Sequence, residues 1–354
     1  MKRKNLIARK KAKINKSLIK DQKILNFYIK FKSIIYKSIK RKDFALAVSG
    51  GSDSLCLSYF SKLYSAEFGN KIHALIVDHK LRKNSNKEAL KVKNILIKKK
   101  IPSSVLIWRG KIPDKNIQKN ARDIRYSLIS SYCSNKNIKY LITAHHQDDQ
   151  IENFFIRLSR GSGVTGLSSM SVNAKYNKNL KIIRPFLSLK KRDLKYVTLK
   201  YFKNYIKDPS NKDEKFLRVK IRKLNKILME KEKIFDVKKI KKTIANLSSA
   251  SDALDFYKEK AMDRYTKFLP KSVNGTLDGY VIKKSIFSNE PNEIIFKVFS
   301  DVLSEVSKSY YPPRSKKIIN LIDRVKKNSI HKSTLGGCVI KSSSGDILIS
   351  RELG

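Results

Sequence analysis

The run Phe44-Ala45-Leu46-Ala47-Val48, followed at once by Ser49-Gly50-Gly51-Ser52-Asp53-Ser54, decides how the chain must fold. Five apolar residues stopped by a glycine pair read as a short buried strand. From Ser54 to Ser65 the pattern is helical, so the hexapeptide joins a strand to a helix. Glycines let a backbone approach an anion with no side chain in the way. Loop amides and the helix N-terminus behind them then form an anion nest. Serine hydroxyls add donors, and Asp53 can reach a magnesium ion that bridges phosphates. An ordinary turn with Ser or Asp capping a helix is the simpler reading, but it does not require the whole string in this setting. Nor is it a Walker loop, since the Gly-Lys-Ser/Thr ending is missing. Ser49, Gly50, Gly51, Ser52, Asp53 and Ser54 are therefore assigned to nucleotide phosphates, with Asp53 as the metal ligand.

Working outward, Lys71–Val77, Ser103–Trp108 and Lys139–Thr143 have strand length and β-branched content, with helical patterns at 86–100 and 116–135 between them. This alternation predicts βαβ units: an α/β fold with a mostly parallel sheet, helices on both faces, and ligand sites at the carboxyl ends of the strands. Another helix is expected from Gln147 and one from Phe216 to Glu230. Beyond about residue 245 the texture changes to helices at 245–268, 293–306 and 315–327, then a hairpin over 336–349 closed by a polar turn. The predicted organisation is a basic arm at 1–20, a nucleotide-binding catalytic domain at 21–222, a helical linker at 223–245, and a smaller, mainly helical domain at 246–354 that ends in the hairpin.

The second chemical cluster is Thr143-Ala144-His145-His146-Gln147-Asp148-Asp149-Gln150-Ile151-Glu152. On a helix, His145 and Asp149 are four apart, and Asp149 and Glu152 three apart, so they share a face. Arg157 and Arg160 follow, ahead of Gly161-Ser162-Gly163. Acids beside bases suit a site that holds a cation, a metal and a phosphate together. A structural metal would need further ligands, which stand at no convincing spacing. Solvated helix-face charge is the bland reading.

The formal charge is +49, from 79 Lys and Arg against 30 Asp and Glu. Phosphate neutralisation supplies most non-specific nucleic-acid affinity, so a polyanionic partner is implied. The skew to 62 Lys also fits lysine-rich codon usage, which needs no binding role. The scarce arginines are more telling: nine of 17 fall between Arg109 and Arg222, where planar bidentate contacts resist replacement by lysine. Cys56, Cys133 and Cys338 are odd in number and far apart, so no disulfide framework is expected. With no membrane-length apolar run and no secretory leader, a cytoplasmic protein is predicted.

The hexapeptide resembles the PP-loop of the ATP pyrophosphatase family, whose members split ATP between the α and β phosphates. The wider pattern is similar to the tRNA(Ile)-lysidine synthetase family. It runs through Val77-Asp78-His79-Lys80-Leu81-Arg82 with Ser85 and Glu88-Ala89, Asn120-Ala121-Arg122 with Arg125-Tyr126, and Ala144-His145-His146 to Glu152. Arg157 through Leu167, Arg184-Pro185-Phe186-Leu187, and Asp208-Pro209-Ser210-Asn211 with Arg218 and Arg222 complete it, in the family's order over residues 44–222. Thr334-Leu335-Gly336-Gly337-Cys338 resembles the end of the family's middle domain. Lys80 departs from the glycine that many relatives carry there. Longer members have a further C-terminal domain, so the resemblance does not imply how this chain grips the acceptor arm.

The resemblance implies an ATP-dependent carbon–nitrogen ligase using Mg2+. It would adenylate the carbon-2 oxygen of the wobble cytidine in tRNA(Ile) with a CAU anticodon; free L-lysine would then displace AMP, changing decoding from AUG to AUA. Asp53, Asp149 and Glu152 are the catalytic candidates. Asp149 and Glu152 would bind the lysine ammonium groups, share the metal with Asp53, or deprotonate the attacking amine. Arg122, Arg157, Arg160, Arg218 and Arg222 are candidates for lysine or tRNA contacts. A homodimer is compatible with this reading. The competing readings are a PP-loop tRNA thiolase, which would need paired cysteines or a cluster, an amide-forming enzyme of small metabolites, and an RNA-binding protein without catalysis.

Overall fold

The computed structural model describes residues 19–81, 84–110, 117–207, 213–215, 217–231, 234–270, 278–309, 312–329, 331–342 and 345–352. Nearly all of the basic arm, Arg82 and the segment Asp208-Pro209-Ser210-Asn211 lie outside the described residues. The chain divides into two compact units, one of Met1–Ser162 with Ser169–Lys242 and one of Gly163–Ser168 with Thr243–Gly354.

The first unit opens with α1 (Gln22–Ile39), capped by the Asp21 carboxylate, which accepts from the amides of Lys23 and Ile24. Ile24, Leu25, Tyr28, Phe31, Ile35 and Ile39 recur at helical spacing and are buried. Then follow β1 (Phe44–Ala47), α2 (Ser52–Phe68), β2 (Ile72–Asp78), α3 (Ser85–Lys98), β3 (Ser103–Ile107), α4 (Ile117–Asn135), β4 (Tyr140–Ile142) and α5 (Gln147–Leu158). A short helix, α6 (Val164–Leu167), groups with the second unit. Next come β5 (Asn173–Lys175), β6 (Lys181–Ile183), α7 (Lys191–Phe202) and α8 (Leu217–Lys226), which ends in a π-helical turn at Ile227–Lys231.

The six strands lie in the order β3-β2-β1-β4-β6-β5, all parallel except β5, which pairs antiparallel with β6. The central strand shows why its sequence is apolar throughout. Phe44 and Leu46 enter a core cluster with residues of α1, α2 and α7, whereas Ala45 packs with Tyr126, Ile129 and Cys133 of α4. A strand covered on both faces has no polar side to alternate with. Helices thus cover both faces of the parallel sheet, as predicted.

The second unit contains α9 (Val237–Tyr265), whose first residues belong to the first unit, then β7 (Thr266–Leu269), β8 (Gly279–Lys283), α10 (Ile286–Asn289), α11 (Asn292–Ser307) and α12 (Ser315–Lys326). It closes with β9 (Lys332–Leu335), β10 (Cys338–Ser342) and β11 (Asp346–Arg351). To the predicted helices and hairpin the structure adds a full antiparallel sheet, β7-β8-β11-β10-β9. Gly336 and Gly337 both have positive φ, 65° and 81°, the backbone that a two-residue turn between β9 and β10 requires. Two ion pairs tie α9 to α11: Lys258 to Asp301 at 2.5 Å, and Lys297 to Asp255 at 2.7 Å. Among the described residues no helix is long and apolar enough to cross a membrane.

Candidate active site

In the first unit β1 lies between β2 and β4: the chain runs from β1 out to β2 and β3 on one side, then crosses back from β3 to β4 on the other, so the strand order reverses at β1. Ligands bind in the crevice at such a switch point, outside the carboxyl ends of the strands. A cleft of about 510 Å³ opens there, lined from the β1 loop by Ser49, Gly51, Asp53 and Ser54, and from the β4 end by Thr143, Ala144, His145 and His146. Glu88, Arg122, Arg125, Asp149, Lys191, Arg218 and Arg222 complete its charged wall.

The loop is held by its own residues. The Ser49 amide donates to Ser54 Oγ at 3.2 Å, and Ser54 Oγ donates to the Gly51 carbonyl at 3.1 Å. Gly50 has φ +81°, and a Cβ there would stand 2.5 Å from Val92 Cγ2, so two constraints demand glycine. The Gly50 carbonyl accepts from the Ile206 amide at 2.9 Å. Behind the loop, Thr198 Oγ1 on α7 donates to the Ser52 carbonyl at 2.5 Å, fixing α2 to α7. Asp53 stands at the start of α2 and accepts from Ser52 Oγ at 3.0 Å.

His146 joins this loop to the second cluster. It is the N-cap of α5: its Nδ1 accepts from the Asp149 amide at 3.3 Å, while Asp149 Oδ2 accepts from the His146 amide at 3.1 Å. Its Nε2 lies 3.5 Å from Asp53 Oδ2 and 3.4 Å from Asp149 Oδ2. The cap needs a lone pair on Nδ1, which assigns the proton of the neutral ring to Nε2, between the two carboxylates. Burial alone would lower the proton affinity of this imidazole. The hydrogen bond to Asp53 and the charges of Asp149 and Asp53 outweigh burial and raise it. Burial would likewise raise Asp53, but the His146 contact and the charge of Lys191 hold its carboxyl below the usual range.

The acids at Asp149 and Glu152 share a face of α5, as their spacing predicts, and that face meets α8. Arg218 Nη2 donates to Asp149 Oδ1 at 2.6 Å, and Arg218 Nε to Glu152 Oε2 at 2.8 Å. Arg222 grips Glu152 with Nε at 2.6 Å and Nη2 at 3.1 Å. Two carboxylates and two guanidinia therefore form a quartet of zero net charge rather than an acid patch. Glu152 is nearly fully buried and not part of the lining, whereas Asp149 faces the cleft. Burial would raise the Glu152 pKa; the two arginines outweigh it and hold it low.

His145 lies on the strand exit, before α5 begins, rather than on the helix face with Asp149. Its Nδ1 shares a hydrogen bond of 2.8 Å with Thr143 Oγ1. Burial first, and then Arg184, Arg122 and Arg218, push its pKa far down, so it is a neutral ring. Arg122 lines the cleft with its guanidinium 5.1 Å from the Tyr126 ring centre. Arg125 donates to His79 Nε2, and burial with that arginine lowers the His79 pKa to about 4.

Arg157 and Arg160 are not brought into the cleft. Arg157 stands in the last turn of α5, about 12 Å along the axis from Asp149 at 1.5 Å per residue, and Arg160 is exposed in the following turn. Sequence reasoning missed Lys191 because it missed α7, and missed the clamp of α8 on α5 because its partners are 66 to 70 positions apart. Helical spacing at Leu194, Val197, Thr198 and Phe202 was the available signal for α7. Cys56, Cys133 and Cys338 are buried free thiols, and burial pushes the Cys56 thiol well up, an inert setting.

Comparison with known proteins agrees with this geometry. A PP-loop domain family model matches residues 23–228. The tRNA(Ile)-lysidine synthase of Orientia tsutsugamushi (strain Boryong) is 36% identical over 316 residues, covering 88% of this chain and 70% of that protein. The tRNA(Ile)-lysidine synthase of Wolbachia pipientis wMel is 36% identical over 318 residues, covering 87% and 70%. Among solved structures, the U34-tRNA thiolase NcsA from Methanococcus maripaludis aligns with a TM-score of 0.49 at 16% identity, covering 62% of this chain and 80% of that one. That likeness is too distant to bear on function.

Proposed function

We propose a two-step ligation on the following premise: the chain belongs to the PP-loop domain family and, within it, to the tRNA(Ile)-lysidine synthases, and is an ATP-dependent ligase. In the first step the carbon-2 oxygen of the wobble cytidine, in tRNA(Ile) with a CAU anticodon, attacks the α-phosphorus of ATP and pyrophosphate leaves. In the second, the amine of free L-lysine attacks carbon 2 and AMP leaves. A carbonyl oxygen is a poor leaving group, and adenylation converts it into a good one.

The observation that carries this reading is the single cleft shared by the Ser49–Ser54 loop and the amphoteric quartet of α5 and α8. The loop amides and the start of α2 suit the nucleotide phosphates. Among the described residues no group of three or more His, Cys, Asp or Glu could enclose a metal. The donor set therefore fits a Mg2+ carried largely by phosphate oxygens and steadied by Asp53, where it would offset phosphate charge. Free lysine brings both a carboxylate and ammonium groups, so a mixed site answers it better than acids alone. Arg218 or Arg222 would take the carboxylate, and Asp149, which faces the cleft, an ammonium. His146 stands between Asp53 and Asp149, which favours lysine over a shared metal as the business of Asp149. Glu152 would position both arginines from behind. Binding at Asp149 also keeps the attacking amine within reach of a carboxylate base.

Asp149→Asn keeps the shape and removes the charge. Pyrophosphate release with tRNA should persist within about tenfold, while lysine addition falls by about 10²-fold or more, the scale for loss of a catalytic electrostatic contact. Adenylated tRNA should accumulate and be followed by mass spectrometry. If both half-reactions fail together and extra Mg2+ restores them, Asp149 is a metal ligand instead.

A further inference from the structure

The two edges of the six-stranded sheet are finished differently. At one end β5 has three residues and carries Lys175, the short and charged form that discourages a further strand. At the other end β3 runs Ser103-Ser104-Val105-Leu106-Ile107, with neither a charge nor a proline, in a chain whose residues are 31% charged. Among the described residues β3 pairs with β2 alone. We infer that this edge is the interface of a two-fold dimer, in which β3 pairs antiparallel with β3 of a second copy.

The backbone register fixes which groups are on offer. The Ala74 amide donates to the Pro102 carbonyl at 3.1 Å, and the Trp108 amide to the Asp78 carbonyl at 3.0 Å. Even-numbered residues from 102 to 108 therefore bond inward to β2, and Ser103, Val105 and Ile107 turn their amides and carbonyls to the open side. A two-fold axis through Val105 sets Val105 against Val105 of the second copy, and Ser103 against Ile107. Residues so opposed exchange both of their backbone bonds, so no outward group of the strand is left over.

The side chains around the edge obey the same axis. α3 lies on the sheet through Ala89, Val92 and Leu96, and one of its flanks is turned inward, with Glu88 on the cleft and Ile95 against the core shared with α2. At about 100° of helix per residue, Leu90 and Ile97 fall on the opposite flank, towards the open edge. They are 48% and 54% exposed, and Ile107 on β3 is 42% exposed. A crossover helix runs back against its strands, so Leu90 stands near the end of β3 and Ile97 near its start. The two-fold then brings Leu90 of each copy towards Ile97 of the other, and the patch is its own complement. Charge selects the same occupant. A phosphate chain would find no cation on the strand, while two molecules of charge +49 meet with least repulsion where neither carries one.

The test uses the full chain without tRNA. Sedimentation equilibrium at micromolar concentration, in about 0.3 M salt to screen the net charge, should give twice the chain mass of 40.8 kDa. Leu90→Lys combined with Ile97→Lys should weaken the dimer by about 10²-fold or more. Ile107→Pro deletes an amide that β2 does not use, and should weaken it by about tenfold or more. Far-ultraviolet circular dichroism should be unchanged in both. Hydrogen exchange supplies a readout that needs no variant: the amides of Val105 and Ile107 should gain protection as concentration rises, while that of Leu106, bonded to β2, stays constant. A wild type that remains monomeric at its highest soluble concentration would overturn the inference. So would a dimer that both variants leave intact, or a mass that grows beyond two chains, since the paired edges close the assembly.

Discussion

Glu152 exposes 4% of its surface, and its two oxygens face three guanidinium nitrogens. Removing one partner of a buried ion pair costs about 3–5 kcal/mol because the other charge stays behind. Gln keeps an acceptor and both arginines are partly exposed, so Glu152→Gln should lose about 2 kcal/mol at neutral pH, measured by urea unfolding. The pH dependence has a definite sign. The folded pKa lies below the ordinary value of 4.5, so the stabilisation is complete above that value and is lost as pH falls through the folded pKa. Wild type should therefore lose stability on acidification more steeply than Glu152→Gln. Parallel curves would mean that the arginines do not hold this carboxylate low. At the same scale, Lys80 sits at φ +53°, where glycine is the easy choice, and its amide donates to Asp78 Oδ1 at 3.0 Å. The glycine that many relatives carry there answers a backbone need, and that need was not legible from charge. The identities of Ser49–Ser54, Asp149 and Glu152 were legible because they lie in continuous strings. Their pairing with Arg218 and Arg222 was not, because residue spacing carries no information across a fold.

The elements that place the loop are α2 and α7, joined by the buried hydroxyl of Thr198 and the carbonyl of Ser52. Thr198→Val keeps the volume and deletes the donor. It should destabilise the first unit by about 1–2 kcal/mol and raise the KM for ATP, since the loop loses a brace. An unchanged KM with the full stability loss would show that the loop is fixed without α7. Elements of ten or more residues with apolar periodicity, among them α2, α3, α4 and α11, could be read from the sequence to within a few positions. The strands β5 and β6 have three residues each, too few for a period to register. The apolar stripe of α1 has the needed period, but it follows the lysine-rich arm and is itself interspersed with lysines, which mask it. At the end of α9 the helical pattern continues smoothly into Phe268, while the chain turns into β7 at Thr266 to complete a sheet. Tertiary pairing there overrides local propensity.

On the scale of the whole molecule the charge is unevenly spread. Residues 243–354 hold 18 Lys and Arg against 12 Asp and Glu, so nearly all of the +49 lies before Thr243. This shifts the proposed electrostatic grip on RNA towards the first unit and the arm, and leaves the second unit to shape. The arm of residues 1–20 carries nine positive charges and no acid. Its deletion should weaken tRNA binding at low salt and lower the slope of log affinity against log salt by several, since each engaged charge contributes roughly 0.7–0.9. Turnover at saturating tRNA should hardly change. An unaltered slope would make the arm a product of composition alone. Whether this cleft joins lysine to an adenylated cytidine is decided by incubating the protein with tRNA(Ile) of CAU anticodon, ATP and isotopically labelled L-lysine, and then analysing the tRNA nucleosides by mass spectrometry. The expected product is a single cytidine at the wobble position that carries the label, with one AMP and one pyrophosphate released for each lysine joined. Unmodified cytidine alongside ATP consumption, or sulfur in place of the labelled lysine, would contradict it.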